Sequence, residues 1–104
     1  MLTQLEAQKI QKQVDAKQDD SLVNLFNILS DKGRFIILKL LLQKEELCVT
    51  DIARITGSSI SGTSHQLRIL EMGGLVEKER KGQTICYKIK KAEPIVRTLQ
   101  RILK

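Results

Sequence analysis

Tryptophan is absent from this chain, and its only aromatic residues are Phe26, Phe35 and Tyr87. A core must therefore be built from Leu, Ile and Val, a composition that suits packed helices. No apolar run approaches the ~20 residues that a membrane span needs, so a spanning helix is excluded. The opening residues Met1-Leu2-Thr3-Gln4-Leu5-Glu6 lack a basic segment followed by an apolar one. No signal peptide is expected from them, and the expected location is cytoplasmic. Two cysteines, Cys48 and Cys86, are too few for a disulfide framework, and in a reducing compartment both are expected as thiols. The single histidine, His65, has no carboxylate or cysteine close by in sequence. With no nucleophile and base to pair, no catalytic residue is assigned and the chain is not read as an enzyme. Gly73-Gly74 lacks the lysine and the spacing of a phosphate-binding loop, and no cofactor is expected.

What is present is positive charge. The formal net charge is +6 over 104 residues, so a pair of copies would carry twice that. The length bounds one domain, 1–104, with a modest core, and such small domains often gain buried area by dimerising. An excess of this size favours an anionic partner, nucleic acid first and anionic membrane second. The bland alternative is a basic protein with no specific use for its charge. A membrane-surface role is the weaker one, because the basic residues do not lie on an apolar-faced helix with aromatics.

Along the chain, Leu2 to Ala16 reads as a weakly amphipathic helix carrying Leu2, Leu5, Ile10 and Val14. Alone it would be marginal, so it needs something to pack on. Lys17 to Ser21 reads as a break that completes an N-terminal unit, 1–21, with Asp20 or Ser21 capping a helix from Leu22 to Ser30. Leu22, Leu25, Phe26 and Leu29 form its stripe. Asp31-Lys32-Gly33 reads as a turn. Arg34 to Gln43 is apolar nearly all round and is expected as the central buried helix. Leu47-Cys48-Val49 is a short β-capable piece, followed by a helix from Asp51 to Thr56 with Thr50 or Asp51 as cap.

From Gly57 the chain changes character. Ser58 or Ser59 can cap a helix over Ile60–Met72. Ile60, Thr63, Leu67 and Leu70 recur at helical spacing and are expected to face inward. The other face carries Ser61, Gly62, Ser64, His65, Gln66 and Arg68, and no acidic residue occurs from Ile52 to Leu70. Small hydrogen-bonding groups without negative charge suit a helix lying in the major groove of DNA. Gly73-Gly74 stops it. Two alternating β-capable runs, Leu75–Arg80 and Thr84–Ile89, flank Lys81-Gly82-Gln83 and read as a hairpin over 75–89 with a basic tip of Lys78, Arg80 and Lys81. A helix-turn-helix over 50–72 followed by that hairpin is a winged helix. The fold class is therefore mainly α with a small β-hairpin wing. Pro94 suits the first turn of a last helix over 93–103, whose Ile95, Val96, Leu99, Ile102 and Leu103 share one stripe. The first and last helices are the expected homodimer interface; the alternative is that both pack on their own domain.

The segments Leu29-Ser30-Asp31-Lys32-Gly33-Arg34, Glu46-Leu47-Cys48-Val49-Thr50-Asp51-Ile52-Ala53, Ser64-His65-Gln66-Leu67-Arg68-Ile69-Leu70 and Gly82-Gln83-Thr84-Ile85-Cys86-Tyr87 resemble the ArsR/SmtB family of winged-helix repressors. The resemblance runs from about Leu22 to Ile89, in the family's order. It implies a homodimer that binds an operator palindrome and leaves it when an effector, often a metal ion, binds. It also implies DNA contacts at Ser61, Gly62, Ser64 and His65 and from the wing. Lys32 stands where the family often has proline. Gly62 is a second departure, costing about 1 kcal/mol of helix propensity relative to alanine; it either allows close backbone approach to DNA or is a weak spot.

The family's sensor sites are mostly missing. Lys91-Ala92-Glu93 stands where an Asp-x-His motif should open the inter-helical zinc site, no histidine follows His65, and zinc needs about four N, S or O ligands. Cys48 matches the first cysteine of the family's Cys-x-Cys site, but Thr50 replaces the second, and a thiophilic metal or metalloid wants two or three thiolates. As a structural residue, Cys48 is a small apolar filler. Strand pairing in a winged helix would set Cys48 beside Cys86, which makes this pair the remaining redox candidate.

The sequence thus points to a sequence-specific repressor of double-stranded DNA. Ser59, Ser61, Gly62, Ser64, His65, Gln66, Arg68, Lys78, Arg80, Lys81 and Gln83 are its expected DNA-contacting residues. Ser61, Ser64, His65 and Gln66 would meet base edges, while Arg68, Lys78, Arg80 and Lys81 would bind phosphates or, from the wing, the minor groove. Its release would follow an unidentified effector, with a Cys48/Cys86 thiol switch as one route and a thiophilic ion at Cys48 as another. The rival from a different class is a winged-helix protein-interaction module with no operator of its own.

Overall fold

The computed structural model describes residues 1–14 and 17–103. Its elements run α1 (Gln4–Val14), α2 (Lys17–Leu29), α3 (Lys32–Lys44), β1 (Glu46–Cys48), α4 (Val49–Thr56), α5 (Ile60–Met72), β2 (Val76–Lys81), β3 (Thr84–Ile89) and α6 (Pro94–Leu103). This is a mainly helical chain with a small antiparallel sheet, as the sequence indicates. Among the described residues no helix is long and apolar enough to cross a membrane.

Helix α1 starts later than Leu2 because Thr3 and Glu6 close a reciprocal cap. The Glu6 N–H donates to Thr3 Oγ1 at 3.1 Å, and the Thr3 N–H donates to Glu6 Oε1 at 3.0 Å. Those bonds to Thr3 hold the Glu6 carboxyl below the usual carboxylate range. Asp15 and Ala16, the expected end of this helix, lie outside the described residues. Helix α1 buries nothing, and Leu2, Leu5, Ile10 and Val14 all stand exposed.

The break expected over Lys17–Ser21 is not there: these residues open α2. The run contains no proline or glycine to stop a helix, and Asp20 falls near the helix N-terminus, where the dipole favours negative charge. The apolar stripe also divides differently from expectation. Leu25, Ile28 and Leu29 pack against the core, whereas Leu22, Val23 and Phe26 are exposed.

Helix α3 includes Lys32 and Gly33, which the sequence pattern places in a turn. The reason is Asp31, whose Oδ2 accepts the Arg34 N–H at 3.0 Å and so caps the helix earlier. Ile37, Leu38, Leu41 and Leu42 are buried, but the helix is not enclosed all round: Ile36 is exposed and Leu40 half-buried. Its end is marked by Glu45 at φ 67°, from which the chain enters β1.

The strand before the helix-turn-helix is Glu46–Cys48, so Val49 belongs to α4. Neither Thr50 nor Asp51 caps that helix; Cys48 occupies the cap position with extended backbone and no side-chain bond. Asp51 instead lies in the first turn, again favourable to the dipole. The sheet order is β1-β3-β2. Glu46, Leu47 and Cys48 oppose Lys88, Tyr87 and Cys86, while Val76 to Lys81 oppose Ile89 to Thr84. The two-residue loop Gly82-Gln83 closes the hairpin, with Gly82 at φ 66°.

One apolar cluster joins Leu38 and Leu41 of α3, Ile52 of α4, Leu67 and Leu70 of α5, Tyr87 and Ile89 of β3, and Val96 of α6. Ile95, Leu99 and Leu103 pack on it too, and of the α6 stripe Ile102 is the exposed member. Most of the last helix's stripe thus covers the chain's own core. Exposed large apolar residues cluster on α1 and α2, with Ile102 of α6, and others stand singly at Ile36, Ile55, Ile60, Met72 and Ile85.

Candidate nucleic-acid interface

The turn between α4 and α5 is built from local rules. Gly57, at φ 71°, ends α4 in the left-handed region, and both its N–H and that of Ser58 donate to Ala53 O. Ser59 then caps α5: its Oγ accepts the Gly62 N–H at 3.0 Å. Of the two serines offered by the sequence, Ser59 is the cap.

Thr63, Leu67 and Leu70 form the buried face of α5. Ile60, expected among them, is exposed, because it falls in the first turn, beyond the edge of the core. The outward face offers Ser61, His65 and Arg68 to different degrees, with Gly62 and Ser64 beside them. It carries no carboxylate before Glu71. Gln66 differs from its neighbours. Its Nε2 donates to Asp31 Oδ2 at 3.0 Å and its Oε1 accepts from Arg34 Nη1 at 3.1 Å, so its amide is bound inside the protein.

Gly62 has a specific structural reason. A Cβ built there would lie 2.9 Å from Ser59 Oγ, the atom that caps the helix. To the two accounts that sequence offers, backbone approach to DNA or a weak spot, the structure adds a third. The glycine leaves room for the capping hydroxyl.

The wing separates its charges by the strand period of two. Lys78 opposes Tyr87 in the register, so Lys78 and Arg80 share the sheet face of Tyr87. That face meets α5, since Tyr87 is buried in one cluster with Leu67 and Leu70; burial, and then the Glu71 carboxylate, push the Tyr87 hydroxyl above its ordinary range, with Arg68 opposing. Glu77, Glu79 and Lys81 lie on the other face. There Lys88 sits 3.6 Å from Glu77 and 3.5 Å from Glu79, and Lys81 Nζ sits 2.9 Å from Glu46 Oε1. The hydrogen bond and charge of Glu46 hold the Lys81 ammonium above its ordinary range. The three basic residues of the expected tip are therefore not equivalent. Lys78 and Arg80 lie on the α5 side and form no ion pair among the described residues, and Arg80 Nε donates to Gly82 O at 3.2 Å. Gln83 is exposed in the loop.

Cys48 and Cys86 oppose one another across β1 and β3, with Cα atoms 3.7 Å apart, and they are joined as a disulfide. The expectation of two free thiols is corrected on this point. Directly opposed residues of an antiparallel pair bring their Cβ atoms together, and here both are cysteine. The bond lies on the sheet face away from α5 and ties the inner wing strand to the residue that starts α4.

Replacing Gly62 by alanine should fail to yield the roughly 1 kcal/mol that helix propensity alone offers, because it displaces a cap worth about 1 kcal/mol. In a Ser59→Ala background, where that cap is already gone, Gly62→Ala should stabilise. Denaturant unfolding of the four proteins of this cycle checks it; equal effects of Gly62→Ala in both backgrounds would contradict the account.

A family profile described as "Bacterial regulatory protein, arsR family" matches residues 31–78. The cadmium resistance transcriptional regulatory protein CadC of Listeria innocua is 41% identical over 70 residues, 67% of this chain and 59% of the relative. The chain thus spans less than two thirds of that relative's length. The HTH-type transcriptional regulator YgaV of Escherichia coli is 32% identical over 80 residues, 75% of this chain and 81% of the relative. Among solved structures, reduced HlyU from Vibrio cholerae superimposes with a TM-score of 0.75 at 28% identity, covering 84% of this chain and 88% of that one. A homodimeric winged helix-turn-helix DNA-binding domain from Mycobacterium bovis, described as a possible ArsR-family transcriptional regulator, gives a TM-score of 0.71 at 34% identity over 86% of this chain and 82% of that one. With its helix-turn-helix and wing in matching order, the chain belongs to the ArsR family of bacterial regulatory proteins.

Proposed function

We propose that this protein is a homodimeric, sequence-specific DNA-binding repressor whose hold on its operator depends on the state of Cys48 and Cys86. The observation that carries the DNA reading is the shared orientation of two unlike surfaces. The outer face of α5, free of carboxylates as far as Leu70, and Lys78 and Arg80 of the wing lie on the same side of the sheet, while the wing's carboxylates lie on the other. The helix would enter the major groove with Ser61, Ser64 and His65 at base edges, and Gly62 would allow close approach. Ser59 lies at the helix entrance, beside the backbone N–H groups of the first turn, where a phosphate is favoured. Arg68, Lys78, Arg80 and Gln83 would meet the backbone or the minor groove, with Lys81 contributing less because Glu46 already holds it.

A second copy supplies the symmetry of a palindrome. The surface that favours it is the exposed apolar set of α1, α2 and Ile102, together with an apolar groove of about 1110 Å³ lined by Leu22, Leu25, Ile28, Ile69, Met72 and Ile95.

Release has a leading candidate chemistry. The two thiols lose two protons and two electrons to a peroxide, whose O–O bond breaks to give water and an alcohol, or two waters from hydrogen peroxide, as the S–S bond forms. The bond links β3 of the wing to the N-cap of α4, so its making or breaking changes how the wing is held relative to the helix-turn-helix. A thiophilic ion held by the same two sulfurs in their reduced state is the alternative effector.

Replacing Ser64 and His65 with alanine should lower the preference for the operator over other duplexes by about 1–3 kcal/mol for each base pair no longer recognised, leaving nonspecific binding in place. Arg80→Ala should weaken all sequences alike and reduce the slope of log K against log salt by about 1, with Lys81→Ala doing less. Binding titrations at several salt concentrations measure both. Uniform weakening by the helix substitutions would show that α5 does not read sequence.

The switch makes a separate prediction. Operator affinity should differ between peroxide-treated and dithiothreitol-treated protein, and Cys48→Ser with Cys86→Ser should abolish that difference. Identical affinity of the wild type in both states would remove the thiols from the account.

A further inference from the structure

Arg34 touches three helices at once. Its Nε donates to Ile28 O at 2.8 Å and its Nη2 to Asn27 O at 3.4 Å, both at the C-terminal end of α2. Its own N–H donates to Asp31 Oδ2 at the start of α3, and its Nη1 donates to Gln66 Oε1 on α5. Gln66 completes the circuit by donating from Nε2 to the same Asp31 Oδ2 at 3.0 Å. The carbonyls at the end of α2 lack helical partners, and a guanidinium there is doubly favoured, by hydrogen bonding and by the dipole. Asp31 is held below the usual carboxylate range, first by the Arg34 N–H and then by the Arg34 charge and Gln66. Gly33 makes the space: a Cβ there would lie 3.2 Å from Asp31 Oδ2 and 3.3 Å from Gln66 Nε2.

We propose that Gln66 is a positioning residue, not a base-reading one: with Asp31 and Arg34 it fixes the roll of α5 about its own axis and ties that roll to α2. The proposal rests on the reading of α5 as the DNA-reading helix, and it replaces the base-edge role that the sequence suggests for Gln66. Both ends of the amide are engaged inside the protein, the oxygen by a guanidinium and the nitrogen by a carboxylate, so turning it to meet a base with both ends, as bidentate readout needs, would give up two charge-assisted bonds. Roll matters because of lever length. Side-chain atoms on the outer surface stand about 5–6 Å from a helix axis, so a roll of about 10° moves them by about 1 Å. That takes a base contact from hydrogen-bond distance to none. Leucine packing limits roll by shape, but the hydrophobic force itself has no direction; a three-membered set of directional bonds adds a constraint on angle. Because α2 presents Leu22, Val23 and Phe26 to the outside, a partner seated on that face would have its position transmitted to α5 through Arg34.

The test reverses a donor and an acceptor. Gln66→Glu keeps the bond from Arg34 but sets a carboxylate against Asp31. Asp31 takes both bonds on Oδ2, so adding Asp31→Asn divides them between two atoms: the amide oxygen keeps the Arg34 N–H, as asparagine and aspartate cap about equally well, and a turn of the amide lets its nitrogen donate to the new carboxylate. Gln66→Glu should weaken operator binding about tenfold and flatten discrimination across the half-site. The double variant D31N/Q66E should recover binding to within about threefold of wild type, with the wild-type sequence preference. If Gln66 reads a base, Q66E will instead change the preference at one base pair, and D31N will not restore it; that result overturns the proposal, as does wild-type binding by Q66E alone. Should Q66E fail to fold, the double variant decides, because it removes the like charges and keeps an acceptor for the Arg34 N–H and a donor for the new carboxylate: folded but unable to bind, it contradicts the proposal. Thermal midpoints of wild type, Q66E, D31N and D31N/Q66E report the circuit without DNA. Non-additive midpoints together with no selective binding by the wild type would sink the DNA reading, while additive midpoints would sink the clamp.

Discussion

Leu67 and Leu70 have no exposed surface, and their burial in the cluster with Leu38, Leu41 and Ile52 holds α5 on the body of the protein. Burying a leucine contributes about 1.5–3 kcal/mol, more than a typical net hydrogen bond at about 0.5–1.5 kcal/mol. Attachment of the helix is therefore an apolar matter. Orientation draws on more, because the hydrophobic force has no direction of its own and hydrogen bonds do. The polar groups around the helix supply what burial lacks: Ser59 fixes where it starts, and Asp31, Arg34 and Gln66 engage its inner polar edge. Only after those constraints are met does the remaining face, Ser61 to Arg68, become a surface with a defined direction.

The wing follows the same division of labour. Tyr87 and Ile89 anchor β3 in the core, and the strand period then sorts the charged residues between two faces. The carboxylates of Glu77 and Glu79 are held by Lys88 on the face away from α5. An anion approaching α5 consequently meets Lys78 and Arg80 without their acidic neighbours. The net positive charge of the chain is less informative than this sorting, since charge alone also fits a membrane or no partner at all.

Much of this is legible in the sequence where one residue decides one local event. Gly57, Gly73-Gly74 and Gly82 punctuate, Ser59 caps, and the two β-capable runs pair around Gly82. Strand register likewise brings Cys48 and Cys86 together. The differences have a common cause. Lys17–Ser21 looks like a break because it is polar, but polarity without proline or glycine does not end a helix. Leu22, Phe26 and Ile60 fit helical stripes, yet a stripe does not reveal where the core's edge lies. Thr3-Gln4-Leu5-Glu6 carries a capping-box signal in plain view, easily passed over in a segment whose apolar pattern is weak. Gln66 takes its expected role from the company it keeps on the α5 face; its partners are 32 and 35 residues away, and no local pattern announces them. Gly62 shows the same limit at short range, where the reason for a glycine is the position of one hydroxyl three residues earlier.

The central claim is that two copies of α5, each held at a set roll, read a symmetric duplex. Selection of binding sites from a pool of random duplexes tests it most directly. The account predicts enrichment of a palindrome whose half-site centres lie about one helical turn, or roughly 10–10.5 base pairs, apart. Bulk binding of duplex with no enriched sequence, or enrichment of a single asymmetric site, would contradict it.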